Sequence, residues 1–174
     1  MRVSPALLAL MAGAALLSAC GKGSGSSAPS ATDQAANPSE PASAPAAPAA
    51  PTPDQIKTLI ATLPAPYNTG DYENGKTQFA QCAACHTATQ GGPNMTGPNL
   101  YGIFGRKSGS APGFSYSDGV AALNQTWDAA KIDTWITNPR AVVPDTHMTY
   151  PGMKDPKNRI DTIAYLKVAT SPAP

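Results

Sequence analysis

A five-residue run, Cys82-Ala83-Ala84-Cys85-His86, restricts what this chain can fold into more than any other feature. Two thiols three positions apart, with an imidazole directly after them, form the attachment signature of a c-type haem. On a helical turn, residues i and i+3 share a face, so both sulfurs can reach the two vinyl groups of one porphyrin edge. The run therefore predicts one haem c, covalently attached through Cys82 and Cys85, with His86 as an iron ligand.

A Cys-x-x-Cys pair also occurs in thioredoxin-type redox disulfides and in zinc sites. A zinc site needs further Cys or His ligands, and outside the run the chain offers only Cys20 and His147. A thioredoxin-type pair belongs at a strand-to-helix junction in an alternating pattern, and the sequence shows no such pattern. Haem attachment is therefore the stronger interpretation.

Residues 1–19 are typical of a secretory leader of the lipoprotein type, with Arg2 near the start and an apolar run over residues 6–17. That run is too short to span a bilayer. Residues 17–20 read Leu-Ser-Ala-Cys and resemble the lipobox of bacterial lipoproteins, in which the leader is cut before a lipidated cysteine. We expect a diacylglyceryl group on Cys20; the alternative is an ordinary signal peptide that leaves a free thiol.

Residues 20–53 are rich first in Gly and Ser and then in Ala and Pro, so they have little to bury and form a flexible linker. As a flexible coil, the linker would separate its ends by on the order of 30 Å, and a fully extended chain would reach roughly 100 Å. The pattern predicts a haem domain over residues 54–174, tethered to a membrane by the lipid at Cys20.

The predicted haem domain carries the signals of an all-α fold, and strand signals are weak throughout. We expect helices over four segments, at about residues 54–63, 71–82, 128–137 and 156–169. Asp71 and Asp155 are typical N-caps, and Pro139 is expected to end the third helix. Gly75 lies inside a helix, which indicates close approach of another helix. Residues 91–116 are rich in Gly, Pro, Asn and Ser and predict loops.

Outside the leader and linker, over roughly residues 71–170, the chain resembles the class I cytochromes c. Besides the attachment run, the matching blocks are Thr96-Gly97-Pro98-Asn99-Leu100, Phe104-Gly105-Arg106-Lys107-Ser108-Gly109, Ala111-Pro112-Gly113-Phe114-Ser115-Tyr116, Thr126-Trp127, Asn138-Pro139, Pro144-Asp145-Thr146-His147-Met148 and Ile163-Ala164-Tyr165-Leu166-Lys167. The resemblance implies three to five helices with long loops around one covalent haem. It also implies that the first and last helices of that fold cross, at Gly75 and Phe79 on one side and near Tyr165 and Leu166 on the other.

The resemblance assigns the second iron ligand to Met148. A thioether is a soft, neutral ligand, and a His/Met pair raises the reduction potential of a haem. The imidazole of the neighbouring His147 is an alternative ligand that would give a bis-histidine centre of lower potential, but the resemblance places Met148 inward and implies that His147 points elsewhere. Trp135 stands where the family usually has a tyrosine close to the methionine, and indole can donate a hydrogen bond but cannot accept one.

The resemblance also implies roles for residues around the haem. The carbonyl of Pro98 should accept a hydrogen bond from the second ring N–H of His86 and so fix the ring. Tyr116 and Trp127 should hydrogen-bond a haem propionate, with Arg106 near that charge. A buried carboxylate without such donors would be costly.

The mitochondrial relatives carry a ring of lysines around the exposed haem edge, and this chain has few of them. The matching positions hold Gln81, Met95, Ala141, His147 and Asp155, and only Arg140 and Lys154 are positive. The formal net charge is +1 and the chain has no basic run, so we expect no nucleic-acid partner and only weak steering toward an acidic one. A tether could compensate by raising the effective concentration.

These observations predict a monomeric, lipid-anchored periplasmic carrier of single electrons, which is not an enzyme because both axial positions are filled. We expect a quinol-oxidising cytochrome complex as donor, and a haem-copper oxidase or another periplasmic reductase as acceptor. One alternative is a fixed haem c relay subunit of a larger periplasmic oxidoreductase. Another is haem-based peroxidase or ligand-binding chemistry, which requires Met148 to be displaced.

Overall fold

The computed structural model describes residues 50–172. The predicted leader, Cys20 and residues 20–49 of the linker lie outside the described residues. The helices are α1 (Pro53–Ala61), a 3₁₀ helix (Tyr67–Thr69), α2 (Tyr72–Ala83), α3 (Asp118–Ala122), α4 (Ala129–Thr137), α5 (Pro139–Val142) and α6 (Pro156–Ala169). Residues 50–172 contain no named strand, and Lys107 and Thr126 form an isolated antiparallel bridge. The predicted all-α class is confirmed.

The first helix, α1, begins with a reciprocal pair of hydrogen bonds at Thr52. The Thr52 hydroxyl accepts from the backbone N–H of Gln55, and the Gln55 side chain accepts from the backbone N–H of Thr52. Pro53 occupies the first helical position, where its missing N–H leaves no bond unmade. Regular structure therefore begins one residue before the boundary that the sequence predicts.

Each of the three longer helices that follow begins at a predicted position and is capped by an aspartate. Asp71, Asp128 and Asp155 accept from backbone N–H groups in the first turns of α2, α4 and α6. Pro139 ends α4 as expected, but it also begins the four-residue α5, which the sequence did not indicate. The five-residue α3 was not expected either, whereas residues 91–116 are loops as predicted.

Helices α2 and α6 cross in direct contact at Gly75. A Cβ atom at this position would overlap the carbonyl of Asp161 and lie 2.8 Å from Cβ of Tyr165. One turn further along, the rings of Phe79 and Tyr165 pack with centroids 5.1 Å apart. The expected crossing is therefore present, and the close approach explains a glycine inside a helix.

The carboxylate of Asp161 fastens the start of α2 to α6 from a fully buried position. It accepts from the backbone N–H of Asp71 at 2.8 Å, from Nδ2 of Asn74 at 2.6 Å and from the ammonium of Lys157. Burial alone would raise the pKa of Asp161, but these donors hold that pKa below its ordinary value.

The apolar interior of the described residues has two parts. The larger contains Leu63, Tyr67, Phe79, Ile103, Trp127, Ala129, Ile132, Ile163 and Leu166. The smaller joins α1 to α6 through Ile60, Ala164 and Val168. The segment that precedes α2 is thus packed against the rest of the domain. Over residues 50–172, no helix is both long enough and apolar enough to cross a membrane.

Candidate functional site

A cavity of about 370 Å³ lies between the end of α2, the loops that follow it, α4 and the loop before α6. This volume falls within the range of sites for small molecules and cofactors. Nine predicted site residues line the cavity, namely Cys82, Cys85, His86, Pro98, Arg106, Tyr116, Trp127, Trp135 and Met148. The tenth, Cys20, lies outside the described residues.

The attachment run forms one wall of this cavity because the chain continues to turn after α2 ends at Ala83. The backbone N–H groups of Cys85 and His86 both donate to the carbonyl of Cys82, at 3.0 and 2.9 Å. This turn places the two thiols and the imidazole on the same cavity.

The environment of the two thiols weakens the redox and zinc interpretations. Burial, with a smaller contribution from Cys85, raises the pKa of the Cys82 thiol to about 11. A thioredoxin-type nucleophile needs the opposite shift, since the thiolate is the reactive form. Within residues 50–172, no cluster of three or more His, Cys, Asp or Glu side chains is placed to hold a metal ion.

The imidazole of His86 is fixed from behind by backbone atoms. Its Nδ1 lies 2.7 Å from the carbonyl oxygen of Pro98, the contact that the resemblance implies. A Cβ atom at Gly97 would overlap the ring, so this glycine packs directly on His86. When Nδ1–H donates to Pro98, the lone pair of a neutral ring lies on Nε2. Burial lowers the pKa of His86, which favours this neutral, metal-binding form.

Two asparagines shape the loop behind His86, Asn99 from one of the matching blocks and Asn94, which lies outside them. Asn94 accepts from the backbone N–H of Asn99 at 2.9 Å and donates to the carbonyl of Pro112 at 2.9 Å. Asn99 donates to Thr87 Oγ1 at 2.6 Å and to the carbonyl of Thr89 at 2.9 Å. Each asparagine follows a Gly-Pro pair, which indicates a turn, but its hydrogen-bond partners are known only from the folded loop.

The cavity wall around Arg106 is suited to an anionic group. Its Nη1 donates to the carbonyl of Tyr101 at 3.2 Å, and its Nε is buried without a hydrogen-bond partner among residues 50–172. Burial lowers the pKa of Arg106. An unpaired guanidinium N–H in a buried wall fits the carboxylate of a haem propionate.

Three aromatic residues continue this wall. The Tyr116 hydroxyl accepts from the backbone N–H of Ala111 at 3.3 Å, which leaves its own O–H free to donate. Trp127 is buried, and its ring meets that of Trp135 edge-to-face at 5.5 Å and 68°. Both indoles therefore border the cavity as a packed pair.

Met148 reaches the cavity from the loop over residues 143–155, here called the Met148 loop. Met148 is half-buried and His147 is exposed, but both residues line the cavity, so the exposure of His147 does not by itself turn its ring away from this space. The loop is held near its start, where Asp145 accepts from the N–H of Gly119 at 2.9 Å. It is held again near its end, where the N–H of Met153 donates to the carbonyl of Ile136 at 2.8 Å.

The residues present fit a covalently attached haem. The thiols of Cys82 and Cys85 and the imidazole of His86 lie on one wall of the cavity, and the thioether of Met148 lines the same cavity. The unpaired Nε–H of Arg106 can donate to an anionic group, and the rest of the lining is largely apolar. The two thiols suit covalent attachment to the vinyl groups of a porphyrin, and a neutral imidazole with a soft thioether suits its iron.

Known proteins carry the same pattern. The family model described as Cytochrome c matches residues 72–170. The chain is 42% identical over 105 residues to cytochrome c of Kluyveromyces lactis, which covers 60% of this chain and 96% of that protein. It is 46% identical over 96 residues to cytochrome c2 of Rhodoplanes tepidamans, covering 55% of this chain and 90% of that protein. The chain therefore belongs to the cytochrome c family, and it carries one haem c attached through Cys82 and Cys85.

Proposed function

We propose that this cytochrome is a single-electron carrier on the periplasmic side of a bacterial membrane, anchored by a lipid on Cys20. Its haem, when bound, supplies an iron that accepts and releases one electron. His86 and Met148 hold that iron in both oxidation states. The observation that carries the proposal is the convergence of both side chains, with the two attachment cysteines, on one cavity.

In this role the polypeptide keeps the surroundings of the iron in place while the charge of the iron changes by one electron. The carbonyl of Pro98 orients His86, and the backbone of Gly97 leaves that ring no room to turn. Arg106, Tyr116 and Trp127 would bind the propionates, and Trp135 lines the same cavity as Met148. With His86 and Met148 both holding the iron, a substrate would find no open coordination site.

The proposed location rests on the sequence before the domain. A leader over residues 1–19 that ends at a lipobox directs a chain across the cytoplasmic membrane and leaves it lipidated. The linker over residues 20–53 gives the haem domain enough reach to meet a membrane-bound donor and then a separate acceptor. A quinol-oxidising cytochrome complex and a haem-copper oxidase or other periplasmic reductase suit these two roles.

The surface supports brief contacts that depend little on charge. Seven exposed residues occupy the positions where mitochondrial relatives have lysines, and they are Gln81, Met95, Arg140, Ala141, His147, Lys154 and Asp155. Two of them are cationic and one is anionic, so the electrostatic attraction to a partner is small. We expect electron transfer to the acceptor to slow only a few-fold between low and physiological salt.

The ligand assignment is tested by Met148→Ala in purified holoprotein. The variant should keep its covalent haem, show a lower reduction potential, lose the far-red band of thioether-bound ferric iron, and bind cyanide rapidly. Met95→Ala is the matched control, because Met95 is exposed and follows the same attachment run. Unchanged spectra and potential in Met148→Ala would show that the sixth ligand is another residue.

The anchor is tested by Cys20→Ala, with Ser24→Ala as control. The cysteine variant should be released from membranes in the soluble fraction, and the mature wild-type protein should carry the mass of the acyl groups. Continued membrane association of Cys20→Ala would contradict the lipid anchor.

A pull-down from membranes in mild detergent distinguishes the mobile carrier from a fixed relay. A mobile carrier should recover substoichiometric amounts of its partners. Recovery of one stable partner at equal stoichiometry would favour the alternative, a relay subunit of a larger periplasmic oxidoreductase.

A further inference from the structure

The segment over residues 52–70 precedes the part of the chain that the cytochrome c family model matches, which begins at residue 72. It packs on α6 through α1 and enters the main core through Leu63 and Tyr67. Tyr67 is buried, and its hydroxyl donates to Oδ2 of Asp133 on α4 at 3.3 Å. Burial, and next the Asp133 carboxylate, raise the pKa of Tyr67, so the phenol stays protonated and remains a donor.

Asp133 extends this contact to α6. Its Oδ1 accepts from Nε of Arg159 at 2.6 Å, and both side chains are largely buried, with exposures of 26% and 14%. A charge-assisted bond at this distance is stronger than a neutral one, and solvent screens it less when it is partly buried.

Arg159 then reaches the Met148 loop. Its Nη1 donates to the carbonyl oxygens of Met153 and Lys154, at 3.1 and 2.9 Å. These two carbonyls lie five and six residues after Met148 in the chain. A continuous path of hydrogen bonds therefore joins the segment before α2 to the end of the loop that bears the proposed iron ligand.

We propose that Tyr67, Asp133 and Arg159 form a positioning network by which the segment over residues 52–70 keeps the Met148 loop closed on the haem. None of the three touches the cavity, so they act through the loop and not on the iron. The inference rests on the proposed ligation by Met148. It gives the segment outside the family match a role in controlling access to the iron.

The test measures how fast cyanide or imidazole binds to the ferric, full-length holoprotein. An external ligand can bind only when Met148 has left the iron, so the observed rate follows the population of the open loop. Asp133→Ala should raise that rate about tenfold, and Tyr67→Phe about two- to threefold, since hydrogen bonds to charged groups are the stronger class. Both variants should keep the far-red band of the thioether ligand in the absence of added ligand.

Lys131→Met is the matched control. It removes an exposed ion pair with Asp128 on the same helix as Asp133, and that pair does not contact the Met148 loop. Its binding rate should match that of the wild type. The free energy of unfolding in denaturant, measured for all variants, separates a general loss of stability from loop opening.

The double variant Tyr67→Phe/Asp133→Ala tests whether the path is continuous. If Tyr67 acts through Asp133, Tyr67→Phe should have no further effect on the binding rate in the Asp133→Ala background. Equal effects of Tyr67→Phe in both backgrounds, or wild-type rates in Asp133→Ala, would overturn the inference. If Asp133→Ala yields no folded holoprotein, a wild-type rate in Tyr67→Phe alone overturns it. Absence of the far-red band in the wild type would instead overturn the ligation by Met148.

Discussion

The two proposed iron ligands are held in different ways. His86 directly follows the attachment cysteines at the end of the twelve-residue helix α2, and backbone atoms of Gly97 and Pro98 contact its ring. Met148 lies within a loop of thirteen residues, 143–155, that is fastened mainly near its two ends. Main-chain atoms of other residues contact the His86 ring itself. On the other side, the backbone N–H of Met148 donates to Thr146 Oγ1 at 3.2 Å, and the hydrogen bonds that tie the loop to the rest of the domain are made by neighbouring loop residues such as Asp145, Tyr150 and Met153.

This difference predicts different responses to substitution. On the His86 side, backbone atoms pack directly against the imidazole ring, so a side-chain atom added there should displace the ring and disturb haem binding. On the Met148 side the ligand should leave the iron when a distant fastening is lost, while the haem and the fold stay in place. The bond that opens transiently in this cytochrome is therefore expected to be the one to sulfur.

The largest effect should come from Gly97→Ala, which attacks the His86 side. The new methyl group would overlap the imidazole ring, and overpacking of this kind costs up to about 3 kcal/mol. We expect a low yield of holoprotein and a free energy of unfolding reduced by about that amount, measured by guanidinium denaturation. Gln90→Ala, at an exposed position of the same loop, should behave like the wild type. A Gly97→Ala protein with normal stability and an unchanged haem spectrum would show that the residues around His86 can move to accommodate the added methyl group.

Asp161→Asn should weaken both sides together, because it loosens the crossing of α2 and α6 on which the whole cavity is built. Its carboxylate is buried among three donors, so we expect a loss of about 2 kcal/mol at pH 7. The pKa of Asp161 is depressed in the fold, so its stabilisation is present above the unfolded value near 4 and is lost as pH falls through the folded value.

The measurement is the free energy of unfolding of wild type and Asp161→Asn at pH 7 and at acid pH. The difference between the two proteins should be largest at pH 7 and should shrink as the wild-type carboxylate takes up its proton. Asp54→Asn, at an exposed position on α1, serves as control. A difference that stays constant with pH would mean that the charge of Asp161 does not stabilise the fold.

The His86 side was the more predictable of the two from the sequence. Its contacts are local, since the attachment run ends α2 and the loop to Pro98 returns after only twelve residues. The helix starts at Asp71, Asp128 and Asp155 were also predictable, because an N-cap bonds to residues two or three positions along the chain.

On the Met148 side the sequence offered only a proposed ligand, which the resemblance supplied and which lines the cavity, and it did not indicate what holds the loop. Tyr67, Asp133 and Arg159 are 66 and 26 residues apart in the chain, and no periodicity or motif joins them. The single-turn helices α3 and α5 were missed for a related reason. Segments of five and four residues are too short to form a periodic pattern, and they are stabilised by tertiary contacts.

Gly152→Ala should displace the end of the Met148 loop and destabilise the fold less than Gly97→Ala does. Gly152 has φ +94°, and a Cβ atom there would overlap the carbonyl of Thr137. The strain should lower the free energy of unfolding by about 1–2 kcal/mol. We expect the far-red band of the thioether ligand to weaken while the haem stays attached. Gly91→Ala, with φ +68° and open space around its Cβ position, controls for backbone strain without a clash. An intact far-red band in Gly152→Ala would place the control of Met148 elsewhere in the loop.

Asp145→Ala should give the smallest effect, at the start of the same loop. Its carboxylate accepts from the backbone N–H of Gly119 in the first turn of α3. The substitution removes this one hydrogen bond at an exposed site, so we expect the free energy of unfolding to fall by about 0.5–1 kcal/mol. The rate of cyanide binding to the ferric protein should rise about two- to threefold, less than the change expected for Asp133→Ala. Asp118→Ala removes an acidic side chain from the first turn of α3 and removes no contact with the Met148 loop, so it should leave the rate of cyanide binding unchanged. If Asp145→Ala exceeded Asp133→Ala, the start of the loop would govern the opening, because the fastening whose loss most increases the open population is the one that limits it.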